Sequence, residues 1–581
     1  MAKPRQFNVR HARIKNRWHA WRSTLARPAT GFVSQPEPRT IGSFAKGRQL
    51  TAGNFLFAGF LIEARNTGMW DLPMPDAEFE KELHGFTWLD DLAAVGDASA
   101  RQRAQSWTWD WIAQYGRGKG MGWTPDLTGR RLIRWINHAL FLLSGRDRAA
   151  SDQYFRSLAQ QTIYLSRTWQ ATAPGLPRFE ALTGLVYAGL SLTGMEEHVD
   201  PAIKALARES KREIDAEGGV STRNPEELLE IFQLLTWAST ALSEAGRVAD
   251  KEHLAAVERM APTLRALRHS DGGLARFHGG GRGLEGRLDH ALASSGIRTV
   301  SDRGLAMGFA RMHGGRTSVI IDASKPPQGE SSFNAHASTF AFELTSGRRP
   351  LIVNCGSGMS FGPNWRSAGR ATPSHSTMGV EGYSSSRLGA QGYVGGQECD
   401  LLAEGPQHVK IRQSGDMQGM TFHGGHDGYL RTHGLTHVRK LDLSADGRGL
   451  AGDDTLTTIE ADDNRVFDRF MDRNAMQGVP FQIRFHLHPE VDAEVDMGGT
   501  AVSMALRSGE IWVFRHDGTA KLSLEPSVYL EKYRLKPRAT KQVVLSGRVL
   551  EYASRICWTL AKAQDTPSNI RDLEPKDSPS F

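Results

Sequence analysis

Two histidines, His336 and His375, bracket the stretch 333–380, where side chains that could do chemistry are most concentrated. From His336 to Leu344 the apolar residues Phe340, Phe342 and Leu344 share one parity, the period of a half-buried strand. Leu351 to Cys355 is a short apolar run closed by Gly356, and in 375–380 Met378 and Val380 share a face. Asn334 and His336 therefore stand at one predicted strand end, Asn354 at the next and His375 at a third. Neighbouring strands would bring these four side chains together. Two neutral imidazoles are part of a zinc site, which normally adds a carboxylate, whereas Asn354 brings only a neutral carbonyl oxygen. The same pair also reads as structural, each ring hydrogen-bonded to backbone.

Other constellations carry competing readings. Gly358-Met359-Ser360-Phe361-Gly362 matches the G-x-S-x-G of a hydrolase elbow, which needs a parallel sheet and a helix directly after it. A strand precedes it, but Pro363-Asn364-Trp365 does not open a convincing helix and the region reads as antiparallel. Residues 423–437 hold four histidines, and His423-x-x-His426 lies in a glycine-rich turn without metal-site spacing, so sheet and surface histidines are expected. His486 and His488 alternate on one strand. Arg223-Asn224 precedes a helix, where Asn224 is a good N-cap and an arginine beside free N–H groups could meet a carboxylate. Trp107, Trp109, Trp111, Trp123, Trp135 and Trp169 lie near polar loops; tryptophan faces stack on sugar rings when exposed and fill cores otherwise.

These groups need scaffolds. The chain has 581 residues, 39% hydrophobic and 23% charged, so two folded domains are expected. No apolar run is long enough to span a membrane, and none follows the N-terminus as a signal peptide would. Cys355, Cys399 and Cys557 are widely spaced and form no CxxC, which reads as free thiols and a cytoplasmic default. Residues 1–50 hold eleven Lys/Arg and one acid, so they carry +10 of a net +7. Trp18 and Trp21 interleave with this charge. Such a tail binds an anionic surface or nucleic acid, or docks on its own protein through the tryptophans; no nucleic-acid-binding motif follows it.

Residues 51–270 read as a series of amphipathic helices, near 100–115, 127–143, 150–170, 179–193, 200–215, 225–244 and 250–269, joined by short loops. Antiparallel helices in that order suggest an α/α toroid. Residues 271–286 hold seven glycines but no GK[ST], so 271–296 is read as an interdomain linker. Residues 297–562 alternate and are β-branched, with strands at 317–321, 482–488, 511–515, 527–530 and 541–545, an antiparallel β-sandwich. Residues 563–581 form a polar tail.

Together the segments AHASTFAFELTSG (335–347), LIVNCG (351–356), RATPSHSTM (370–378), HDGYLRTHGLTHVRKLDLS (426–444) and RFHLHPEV (484–491), with HGFTWLDDL (84–92) and GGVSTRNPEELLE (218–230), resemble the heparinase II/III family of polysaccharide lyases. The resemblance implies an incomplete α/α toroid followed by an antiparallel β-sandwich, with the cleft between them. It implies β-elimination at a uronic acid: the carboxylate is neutralised, a base removes the C5 proton and an acid protonates the leaving oxygen. It also implies one structural zinc, on His336, His375 and the position of Asn354. The chain departs from the family where an Asn-His-Leu would stand (Leu176-Pro177-Arg178), at a GGH (Gly218-Gly219-Val220) and where a tyrosine would follow Ser-Pro (Asn224-Pro225-Glu226-Glu227). Asn334 falls where some members place a catalytic histidine.

The expected catalytic set is His375, His336, Asn334 and Glu227, with either histidine as base if no metal holds it. Arg178 and Arg223 are the expected carboxylate clamp, and Asn224, Arg370 and Trp123 complete the substrate contacts. The expected partner is an acidic polysaccharide or oligosaccharide. The departures keep two alternatives open: a catalytically silent glycan-binding protein, and an envelope- or nucleic-acid-associated protein acting through its basic tail. Family members work outside the cytoplasm, so the resemblance sets an envelope or periplasmic location against the cytoplasmic default.

Overall fold

The structure is a computed structural model; it describes residues 4–25, 29–300, 304–394, 397–532 and 534–563. The expected tail 563–581 lies almost wholly outside the described residues. The helical half follows the apolar periodicity closely. The expected helices are Ala98–Tyr115, Pro125–Asn137, Arg148–Thr168, Leu176–Ser191, Val199–Glu213, Pro225–Glu244 and Lys251–Ala266. Asn224 caps the Pro225–Glu244 helix as expected, its Oδ1 accepting from the N–H of Glu226 and Glu227. The single 127–143 helix breaks at His138, whose backbone leaves the helical range, and Leu140 turns outward to 76% exposure.

The basic N-terminus is more structured than a tail. Pro4–Ser23 is a helix lying on Arg148–Thr168, with Ala20 and Ser23 buried. Trp18 and Trp21 are about half covered, and Ala20 and Ser23 between and beside them are fully buried. A second helix, Phe44–Thr51, and a hairpin, Asn54–Phe57 with Phe60–Glu63, then pack onto the toroid.

The C-terminal half is two large antiparallel sheets. One has eight strands, with Val409–Gly415 and Asp492–Asp496 at its edges; the other runs from Lys521–Tyr529 to Phe309–Gly314, with Met378–Val380 beside Val479–Leu487. Phe342, Phe485, Phe514 and Trp558 fill the space between them. The strand periods at 317–321, 511–515 and 541–545 lie within observed strands, and those at 482–488 and 527–530 overrun theirs by one residue, at His488 and Leu530. The strand from His336 starts only at Phe342, because Phe340 takes a left-handed backbone (φ 62).

The glycine-rich segment 271–296 is packed rather than loose. Leu274 to His278 are buried and Arg287–Ser294 is a helix. It joins the halves around Asp322, a fully buried carboxylate. Asp322 accepts from Arg223 Nη2 (2.6 Å) and Ser338 Oγ (2.7 Å), and His278 Nε2 lies 3.4 Å away. Arg223, His278 and Met307 all hold left-handed backbones beside this tie, a strain that the surrounding packing must offset.

Candidate active site

The strand-end residues converge as their spacing requires. His336 Nδ1 lies 3.0 Å from His375 Nε2, and His375 Nδ1 lies 2.9 Å from the Ala371 carbonyl. That carbonyl accepts only, so His375 carries its proton on Nδ1, receives one from His336 Nδ1–H, and leaves His336 Nε2 as an acceptor. The His336 backbone N–H donates to His278 Nδ1. Burial pushes both rings below the ordinary histidine range, His375 to about 4, so the pair is neutral.

The donor set does not fit a zinc ion. Among the described residues no group of three or more His, Cys, Asp or Glu side chains is arranged to hold a metal ion. Asn354 Oδ1 already accepts from the Ser376 N–H (2.9 Å), and its amide nitrogen is a buried donor. An amide turned this way offers no anionic ligand.

The arginines expected to clamp a carboxylate are committed to protein acceptors. Arg223 donates to Asp322 and to the carbonyls of Met307, Gly308 and Lys325, a tie between the halves rather than a clamp. Arg178 pairs with Glu209 (3.2 Å) and donates to the Thr172 carbonyl. Arg370 is buried and reaches the carbonyls of Ala335, Asp400 and Ser332 at 2.8 Å each. Trp123 is 4% exposed, its indole N–H on Tyr115 and its ring against Trp111 and Tyr164, so it is core. Ser360 is followed by a helix, Pro363–Arg370, contrary to expectation, but the sheet is antiparallel and no elbow forms. Of the histidines in 423–437, His426, His433 and His437 are buried; His437 bridges His426 and Asp454 in the sandwich core.

Two candidates are only partly buried. Asn334 Oδ1 accepts from Arg366 Nη2 at 3.0 Å, which leaves its amide nitrogen, beside Gly279, as the donor. Glu227, in the first turn of the Pro225–Glu244 helix, accepts from Thr222 Oγ1 at 2.9 Å. Burial raises its carboxyl to about 7, against the hydrogen bond from Thr222. The loop 279–281 runs between them, with Gly279 against Asn334 and Gly280 against Asn224.

A chamber of about 310 Å³ opens in the helical half where Ser360 and Lys532 of the β-half close over it; Leu176 lines it, and Glu227 lies outside the lining, behind Gly175. Five cations and five acids line it, among them Lys46, Asp91, Arg130, Glu180, Arg287 and Lys532. Arg130 forks onto Glu180 (2.7 and 2.8 Å); burial opposes its charge, but the carboxylate outweighs that. Burial raises Asp91 to about 6, and it raises Glu82 as well. Burial also lowers Lys46, against the pull of Asp91 and Glu82. Sequence reasoning did not single out these residues, although two signals existed. HGFTWLDDL carries Asp90 and Asp91, and Arg130, Arg131 and Arg134 stand in a helix that is otherwise almost wholly buried.

A helical toroid followed by an antiparallel sandwich is a fold shared with solved polysaccharide lyases. Residues 297–559 match the model of the heparinase II/III-like C-terminal domain. The chain is 31% identical over 556 residues to FtsZ-localized protein C of Caulobacter vibrioides, covering 94% of this chain and 92% of that protein. This protein belongs to the heparinase II/III-like family. Its fold is similar to that of heparinase III (TM-score 0.66, 13% identity, 97% of this chain and 93% of that one). It is also similar to the heparan sulfate lyase HepC from Pedobacter heparinus (TM-score 0.56, 15% identity, 95% and 88%). At these identities the likeness to the solved structures is one of fold.

Proposed function

We propose that this protein is a lyase-type enzyme that acts on an acidic, uronate-containing glycan held in the chamber of its helical half. The observation that carries the reading is the chamber itself, a charged cavity whose lining includes Asp91, a carboxyl that burial raises to about 6, with Glu227 next to it behind Gly175 and Leu176. In this reading the Asn334 amide, oriented by Arg366, neutralises the substrate carboxylate. Glu227 removes the acidified C5 proton and returns it to the leaving oxygen. His336 and His375, bonded to each other and to the Ala371 carbonyl, hold the fold rather than touch the sugar. The free thiols of Cys355, Cys399 and Cys557 agree with action in a reducing compartment. The test is ultraviolet absorbance on incubation with uronate polymers and oligomers, because elimination, unlike hydrolysis, leaves a conjugated product. A rise that Glu227→Gln removes supports the reading; a flat trace across the panel overturns the enzyme assignment.

One observation favours a second reading, a silent glycan-binding protein within a division assembly. Arg178, Arg223 and Arg370 are all spent on protein acceptors, and the relative that is similar over nearly the whole chain carries FtsZ localisation in its name. The basic Pro4–Ser23 helix, with Trp18 and Trp21 outward, would be the docking surface. Glycan binding without eliminated product, and co-purification with the organism's FtsZ that is lost on removing residues 1–25, would support it.

A further inference from the structure

We infer that the chamber receives a free mono- or disaccharide, or the end of a glycan chain, and excludes a polymer running through it. This inference rests on the chamber being the glycan site and adds the length of the ligand. The first ground is size. About 310 Å³ lies at the low end of the range for ligand pockets, room for about one or two sugar rings.

The second ground is how the walls are closed. A polymer lyase needs a groove open at two ends, but two bridges cross this one. The first is the N-terminal segment. Gly42 and Gly47 lie on the backbone of Asp90 and Asp91, where an added Cβ would stand 2.0 and 2.2 Å from the two carbonyl oxygens. That close fit seats the Phe44–Thr51 helix and the following hairpin over the toroid opening. The hairpin tip then touches the β-half. Gly59 holds φ +85, and a Cβ there would stand 1.7 Å from the Ser360 carbonyl oxygen. The second bridge is Lys532, from the β-half, on Glu226 at 3.2 Å. Glu226 also takes the Gly281 N–H at 3.0 Å and stays ionised: burial works against it, but Lys532 and that N–H outweigh the cost. The helical and β halves are thus joined across the opening at two places, with the chamber between.

The third ground is the lining. Apolar side chains such as Leu56, Phe57, Trp88 and Trp237 supply about half of the wall, and charged groups together with Thr, Asn, Gln and Ser side chains supply the other half. A short sugar matches such a wall, its hydroxyls and charge on the polar part and its ring faces on the apolar part; a chain crossing it would have to displace a bridge.

The test is titration calorimetry of the full chain with hyaluronan, heparosan and polygalacturonate fragments of two, four, six and ten residues, and with each parent polymer. The expected result is an affinity per chain end that changes less than about twofold beyond the disaccharide, with one protein bound per polymer end. Affinity that climbs about tenfold or more from di- to hexasaccharide, or several proteins along one polymer, overturns the inference. Silence at every length removes the glycan reading beneath it. Enclosure is then judged by labelling Thr87→Cys in a chain whose Cys399 and Cys557 are changed to Ser. Reaction with a small methanethiosulfonate but not with a polyethylene glycol maleimide upholds the closed chamber; equal reaction with both overturns it. Gly59→Ala, checked for a native circular dichroism spectrum, is expected to lift the hairpin and let the hexasaccharide gain affinity over the disaccharide.

Discussion

The two polar regions of this molecule are built on opposite plans. In the β-half, His336, His375, Asn354 and Arg370 crowd together, but each is buried and most of their polar atoms are matched to protein. In the helical half, the charges around the chamber line open volume and include carboxyls raised toward neutrality, Asp91 and Glu82. The difference teaches that density of reactive residue types does not mark a site. A saturated cluster holds the fold, whereas groups facing a cavity retain capacity for a ligand.

The largest expected effect tests the tie that sets the two regions against each other. Asp322→Ala leaves the Arg223 guanidinium without its carboxylate and should cost about 3–5 kcal/mol in urea unfolding. A cost under about 1 kcal/mol would deny Asp322 that role.

Acid should weaken the saturated interior next. Burial holds His84 and His486 at about 3 and His253 at about 4, all below the ordinary 6.5. Between pH 6.5 and about 4 the unfolded chain takes up protons that the native state refuses, so stability is fully present above pH 6.5 and falls through this window. Thermal melts should lose a few kcal/mol across it. A flat profile from pH 7 to 4 would contradict neutral burial.

His375→Gln probes the cluster more directly. It should cost roughly 1–3 kcal/mol by unsettling the His336 and Ala371 hydrogen bonds, and leave glycan affinity unchanged in the folded variant. Glu227→Gln should do the reverse. The native carboxyl titrates near 7 instead of 4.5, so it costs stability progressively as pH rises from 4.5 to 7 and fully above that. The variant should therefore be more stable than the parent by roughly 1–2 kcal/mol at pH 8, with little difference at pH 4. The smallest effect concerns metal: zinc content well below one per chain, and a melting temperature indifferent to chelator.

Much of the fold was legible because helix and strand periods are local. Leu132, Trp135 and Ile136 announce their helix, and Phe342 and Leu344 their strand face. The meeting of His336 with His375 was legible for the same reason, as both sit at the ends of predicted strands. Their saturation was not, since Ala371 and Ser376 act through backbone groups that carry no residue signal. Lys46, Arg130, Glu230 and Lys532 come from distant parts of the chain and meet only in three dimensions, so no local pattern could gather them. Trp123 misled because its sequence neighbours are polar while its packing partners, Trp111 and Tyr164, are not.

The most direct measurement follows ultraviolet absorbance as uronate oligosaccharides are incubated with the parent protein, Glu227→Gln and His375→Gln side by side. The account predicts product from the parent and from folded His375→Gln, and none from Glu227→Gln. Product that persists in Glu227→Gln but vanishes in a folded His375→Gln would return the chemistry to the histidine cluster and contradict it.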